Sequence, residues 1–218
     1  MSGKPATADA LYDLIFNDLS WRRREISLFN SQIDKVSEEF QKALLRSSVA
    51  LLYGHWEGFV KNAGRSYLSF LSTKRLSFQQ LRPELAALAL RAHLTNATLA
   101  KRPRLHADIV RGIRERATER ATLPTNSDAI RTESNLSFRV LTDILDAIGC
   151  DASRYEKYSD LIDDQLVGAR NKIAHGEQSF IRRTEWDELY KQVFWLMDDI
   201  GTQLLNSAVE ETFYAWKA

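Results

Sequence analysis

Apolar residues recur along this chain at intervals of three and four, the period of helices that turn one face to a core. From Ala8 to about Phe40 they fall at Leu11, Leu14, Ile15, Leu19, Ile26, Phe29, Ile33, Val36 and Phe40. From Ser37 to about Leu71 the stripe is Leu44, Leu45, Val49, Leu52, Tyr53, Trp56, Phe59, Val60, Ala63, Tyr67, Leu68 and Leu71. The two segments predict an antiparallel helical hairpin. Pro83 suits a first helical turn that continues from Glu84 to Ala97, and another helix is predicted from about Leu105 to Arg120. The polar stretch Ala121–Asn135, which carries Pro124, reads as a loop. Ser134 to Ile148 predicts a short helix closed by Gly149, and Ser153 to Ala174 predicts a helix stopped by Gly176. The last helix is predicted from about Thr184 to Ala215, with Trp186, Leu189, Val193, Leu196, Ile200, Leu204, Val209 and Phe213 near one stripe. No segment reads as a strand and no repeat is visible. The expected fold is all-α: an antiparallel helical bundle, one domain over 1–218, with additional helices between the second helix and the one that ends at Gly176.

Composition agrees with that picture. Of the 218 residues, 44% are apolar and 27% charged, which is ordinary for a folded domain. Only 9 glycines and 4 prolines are present, too few turn formers for an all-β protein. The net charge of +1 argues against a constitutive duplex-DNA binder and leaves room only for local basic patches. Cys150 is the single cysteine, which excludes a disulfide framework and fits a reducing cytoplasm. No apolar run approaches the ~18 residues of a membrane span, and the N-terminus carries no signal-peptide pattern. A cytoplasmic protein without a membrane segment is expected.

Chemistry concentrates in Leu161–Glu177, LIDDQLVGARNKIAHGE. Its core stripe is Ile162, Leu166, Ala169 and Ile173. A second stripe of Asp164, Gly168, Asn171 and His175 lies roughly 200° away on an ideal helix. A glycine inside a helix costs about 1 kcal/mol against alanine, so close approach by a backbone or ligand, or a tight core contact, is expected at Gly168.

The string ARNKIAHGE resembles the R-x4-6-H signature of the HEPN superfamily, with Arg170, then Asn171, then His175. The second helix, LLYGHWEGFVKNAGRSYLSFL, is similar to the matching helix of HEPN-like nucleases of the MAE type from bacterial defence loci. Arginine and histidine at this spacing also arise by chance, and a surface arginine beside a histidine capping a helix C-terminus is the plain alternative. Asn after the Arg, Ala before the His, Gly after it, and the amphipathic helix give the match its context. The resemblance implies a helical bundle that usually dimerises, bringing two motif helices to one cleft. It also implies metal-independent cleavage of single-stranded RNA, in a toxin or anti-phage effector with a possible antitoxin or defence-system partner. His175 would act as general base or acid, Arg170 would bind phosphate, and Asn171 would orient the scissile group. Some superfamily members are instead non-catalytic modules that bind RNA, a nucleotide or a partner protein. Certain HEPN toxins carry a tyrosine two residues after the motif His, where an antitoxin modifies them. Glu177 stands there instead.

RNA carries its own 2′-hydroxyl nucleophile, so proton transfer and phosphate stabilisation are what a protein must add. Imidazole and guanidinium suit those tasks. Positions 170 and 175, however, lie roughly 140° apart around an ideal helix and about 7.5 Å apart along it, which favours a cleft shared in a homodimer. Glu57 and Lys61 form an i,i+4 pair on the second helix, either a solvated pair or, for Glu57, an orienting group for Arg170 or His175. Asp164 is a further supporting candidate. His55 is expected to be a surface or satisfied core histidine. Arg102, Arg104, Arg111 and Arg114 lie in a basic stretch suited to RNA phosphates or to solvent-exposed ion pairs, and Trp21–Arg24 is a second such stretch. Trp56, Trp186, Trp195 and Trp216 read as core or dimer-interface residues. The four histidines lack carboxylates at metal-ligand spacing and no nucleotide-binding glycine motif is present, so neither a metal nor another cofactor is expected.

Overall fold

Two long helices set the frame of the computed structural model, which describes residues 3–91, 103–126 and 129–217. Helix α1 spans Ala8–Ile33, and its free N-terminal N–H groups are met by Thr7, whose hydroxyl accepts from Ala10 N at 3.1 Å. Helix α2, Glu38–Thr73, is capped by Ser37 in the same way, with Glu38 and Glu39 complementing the dipole of its first turn. The turn between them is too short for anything but an antiparallel return.

Helices α3 (Pro83–Ala89), α4 (Pro103–Glu115) and α5 (Phe138–Ala147) follow. A 3-10 segment at Ser153–Tyr158 then leads into a π-helix, Leu161–Gly168, which continues without a break as α6, Ala169–Ala174. Helix α7, Arg183–Glu210, closes the bundle. Short 3-10 turns sit at Phe78–Gln80 and Ala215–Lys217, and no β-strand occurs among the described residues, only two isolated bridges.

Helix α2 is the axis, touching α1, α7, α6 and the π-helix. Leu52, Trp56, Phe59, Tyr67 and Leu68 on its apolar faces are fully enclosed. Helix α7 lies antiparallel to α1, as Arg183 meets Asn30 and Asp34 at one end while Gly201 packs on Ile15 at the other. The hairpin and the all-α bundle match expectation, with α3, α4 and α5 inserted between α2 and the motif helix. Helix boundaries are shorter at several ends. Helix α3 closes at Ala89 and α5 begins only at Phe138, because Ser137 caps it by accepting from Val140 N. The expected extension of α3 to Ala97 lies largely outside the described residues.

One charged group is buried where a solvated basic run was expected. Arg22 is only 5% exposed. Its Nε donates to Asp18 Oδ2 at 2.8 Å, and its Nη1 lies 3.4 Å from His55 Nδ1 and donates to the His55 carbonyl at 3.3 Å. The guanidinium occupies space over Gly58, where a Cβ would come within 2.8 Å of Nη1. His55 itself is a core histidine, its Nε2 standing 2.9 Å from Glu25 Oε2 but off the line of a good hydrogen bond. Burial, then the Arg22 charge, pushes the His55 pKa below its ordinary value, against the opposing pull of Glu25 and Asp18. A histidine that is harder to protonate folded than unfolded contributes stability that is complete above the unfolded pKa. That contribution is lost as pH falls from about 6.5 towards the folded value. Urea denaturation at stepped pH between 7.5 and 5.5 is expected to show falling stability, with a flatter profile in His55→Gln.

Candidate functional site

Helix α6 brings its motif to α2 through paired contacts that run in opposite directions along the two helices. Arg46 of α2 donates through Nη2 to the Glu177 carbonyl at 2.6 Å, while seven residues on, Tyr53 meets Arg170. Ile162 and Leu166 are fully buried, and Ala169 and Ile173 pack against the same core. The expected core stripe therefore holds across the change from π- to α-helix.

Arg170 is half-buried and tightly placed. Its guanidinium carbon lies 4.6 Å from the centre of the Tyr53 ring, a cation–π distance. Nη1 donates to Asn135 Oδ1 at 2.8 Å and to Asn171 Oδ1 at 2.8 Å, so both hydrogens of that nitrogen are committed. Nε and Nη2 make no hydrogen bond among the described residues. They form the parallel donor edge that matches the oxygens of a phosphate.

Beneath Tyr53 lies Glu57. The Tyr53 hydroxyl accepts from Leu136 N at 2.9 Å. Glu57 accepts from Lys61 Nζ at 2.6 Å and Thr132 Oγ1 at 2.5 Å. Burial pushes the Glu57 pKa up, but those hydrogen bonds outweigh it and hold the group below its ordinary value. For Tyr53, burial dominates and raises the phenol pKa. Glu57 touches neither Arg170 nor His175. Lys61 serves as its ion-pair partner.

His175 occupies the C-cap position of α6 and is exposed. Its imidazole makes no hydrogen bond among the described residues. The helix stops there because Gly176 adopts φ +76°, with Gly176 N bonded to the Ile173 carbonyl and Glu177 N to the Lys172 carbonyl, a Schellman end. A Cβ in this left-handed conformation is strained by about 1–2 kcal/mol, so Gly176→Ala is expected to lower stability by that amount in urea denaturation and to loosen the His175 turn.

The π-helix corrects two expectations. Its wide turns break the 3.6-residue register assumed between Asp164 and Asn171, and Asp164 is exposed and bonded to no described residue. The structure does not bring Asp164 to Arg170. Its neighbour Asp163 has a role instead, accepting from Phe138 N at 2.6 Å at the start of α5. Gly168 is explained by the same coil: a Cβ there would sit 3.2 Å from the Asp163 carbonyl oxygen. The close approach is by the protein's own backbone.

Arg111 and Arg114 are exposed on α4. Arg102 and the Arg104 side chain lie outside the described residues. Trp56 and Trp186 are core residues, whereas Trp195 and Trp216 are largely exposed. Cys150 is buried, and burial pushes its thiol up to about 12, far from reactive. Among the described residues, no group of His, Cys, Asp and Glu is placed to hold a metal ion, and no helix is long and apolar enough to cross a membrane. Sequence reading does not single out Asn135 or Arg46. Asn135 lies in a stretch read as loop and Arg46 on a helix surface, and neither has a motif to mark it.

Comparison with known proteins adds one match. The family model HEPN_MAE_28990-like HEPN covers residues 11–213, nearly the whole chain. No curated protein and no solved structure matches.

Proposed function

The chain belongs to the HEPN_MAE_28990-like HEPN family, and from that premise we propose that it is a metal-independent endoribonuclease acting on single-stranded RNA. The observation that carries the reading is the state of Arg170: one nitrogen is fixed by two asparagines, and the Nε–Nη2 edge is free beside a helix that ends at exposed His175. On this reading the free edge of Arg170 binds the scissile phosphate and stabilises the charge that builds on it. His175 takes the proton from the 2′-hydroxyl or gives one to the leaving 5′-oxygen, and Asn171 orients the phosphate. The bond from the 2′-oxygen to phosphorus forms as the bond to the 5′-oxygen breaks, leaving a 2′,3′-cyclic phosphate and a 5′-hydroxyl.

Within one chain Arg170 lies against α2, whereas the His175 imidazole is exposed and unsupported. A homodimer that sets one protomer's histidine beside its partner's arginine completes the site. Arg111 and Arg114 are suited to phosphates farther along the strand. A toxin or anti-phage effector, held in check by an antitoxin or defence-system partner, is the setting that the family resemblance favours.

The unsupported imidazole also favours a second reading, a HEPN module that binds RNA, a nucleotide or a protein without cutting. Incubating the purified protein with single-stranded RNA in excess EDTA separates the two. Cleavage to cyclic-phosphate ends, lost in His175→Ala and Arg170→Ala, supports the nuclease. RNA bound but left intact supports the module, and a monomeric mass in gel filtration sinks the shared cleft.

A further inference from the structure

The segment from Thr132 to Phe138 is fastened across the face of α2 that carries Tyr53. Thr132 Oγ1 donates to Glu57, Leu136 N donates to Tyr53 Oη, and the Leu136 carbonyl accepts from Trp56 Nε1 at 3.4 Å. Phe138 N is held by Asp163 of the π-helix at 2.6 Å. Thr132 and Leu136 are buried, and Glu133 between them takes a left-handed φ of 53°, a backbone cost that the surrounding bonds offset. Asn135 therefore stands between fixed points, and its side chain presents Oδ1 to Arg170 Nη1.

We propose that Asn135 is a positioning residue that sets the rotation of the Arg170 guanidinium, so that its Nε–Nη2 edge alone faces the substrate phosphate. The proposal rests on the endoribonuclease reading above. A guanidinium on a flexible stem turns about its own axis unless two directions are fixed. Here the Tyr53 ring fixes the plane, and the pair Asn135 and Asn171 fixes which edge points inward. Either amide alone leaves one Nη1 hydrogen free to compete for the phosphate. With both in place, approach is limited to the remaining edge, where two parallel N–H groups meet two phosphate oxygens. Asn171 is a neighbour in sequence and moves with Arg170, whereas Asn135 is tied to α2. Of the two amides, it is the one that references the guanidinium to the rest of the bundle.

The test combines kinetics with a readout that needs no catalysis. Asn135→Ala is expected to lower kcat on a single-stranded RNA oligonucleotide by about 10- to 100-fold, the loss typical of a misplaced reacting group. Its Kd for the same oligonucleotide with 2′-deoxyribose throughout is expected to stay within about threefold, because Arg170 keeps its charge. In the Arg170→Ala background, adding Asn135→Ala is expected to cost nothing further, since the residue acts through Arg170. Losses that multiply across the two sites, or a weakened Kd with unchanged kcat, overturn the assignment. In NMR spectra of the labelled protein, the Arg170 guanidinium signals, identified by their loss in Arg170→Ala, are expected to broaden in Asn135→Ala at unchanged Tm. Unchanged signals, or signals lost together with the fold, reject positioning. If wild-type protein leaves RNA intact, the nuclease reading fails by itself, and the NMR comparison still decides whether Asn135 holds Arg170.

Discussion

On the endoribonuclease reading proposed above, His175→Ala is expected to slow RNA cleavage by about 10²- to 10⁴-fold, the range that a positioned proton-transfer group contributes. The effect belongs in kcat, because an exposed imidazole at a helix end adds little to ground-state binding of a polyanion. Stability is expected to move by no more than about 0.5 kcal/mol, since His175 is exposed and bonded to no described side chain. Arg170→Ala is the companion substitution, expected to cost about 10²- to 10³-fold by analogy with losing one preorganised donor to a developing oxyanion. Arg170→Lys does not restore the rate: an ammonium has no planar edge to lie on Tyr53 and no parallel donors for two oxygens. Mixing the two alanine variants gives a sharper test. If the cleft is shared, a heterodimer of His175→Ala with Arg170→Ala retains one intact pairing and regains activity that neither variant shows alone. No regain, with both variants dimeric, places each site within a single chain.

Trp56→Ala is expected to carry the largest loss of stability, about 3–5 kcal/mol for removal of an enclosed aromatic side chain. Trp56 is 0% exposed at the middle of α2. Its indole N–H also holds the Leu136 carbonyl, one of the fixed points beside Asn135. Because a domain's whole stability is about 5–15 kcal/mol, this one change consumes a large share of it. Trp56→Phe keeps most of the apolar bulk and removes the donor, so its expected cost is about 1–3 kcal/mol for a buried carbonyl left without a partner. Urea midpoints for the two variants check both figures, and a Trp56→Phe midpoint equal to that of the unsubstituted protein would mean that the indole N–H does nothing.

The parts of this molecule legible from its residue pattern are those governed by periodicity and caps. Leu52, Trp56 and Phe59 repeat at helical spacing, as do Ile162 and Leu166, and burial at that spacing is what a bundle needs. Gly176 after His175 marks a helix end because only a left-handed residue lets the Lys172 and Ile173 carbonyls be met there. The π-helix was hidden for the opposite reason. Widening a turn by one residue leaves Leu161, Ile162, Leu166 and Val167 apolar and inward, so the pattern barely changes while the polar face rotates. Asp164 was misplaced by that rotation. Arg22 was missed because a run of three arginines reads as a wetted surface, and only the space over Gly58 shows that one of them is enclosed. Asn135 was invisible because its partner is 35 residues away and its own neighbours form no periodic element.

The coil of Leu161–Gly168 gives the two halves of the motif helix unequal tolerance to changes in length. A wide turn holds a surplus residue, so losing one residue there is expected to let the chain settle into an ordinary α-helix with Arg170 still on Tyr53. Between Ala169 and Ala174 no such slack exists, and a single residue gained or lost swings His175 by about 100°. In this chain a one-residue deletion before Gly168 is therefore expected to be better tolerated than one among the four residues between Arg170 and His175.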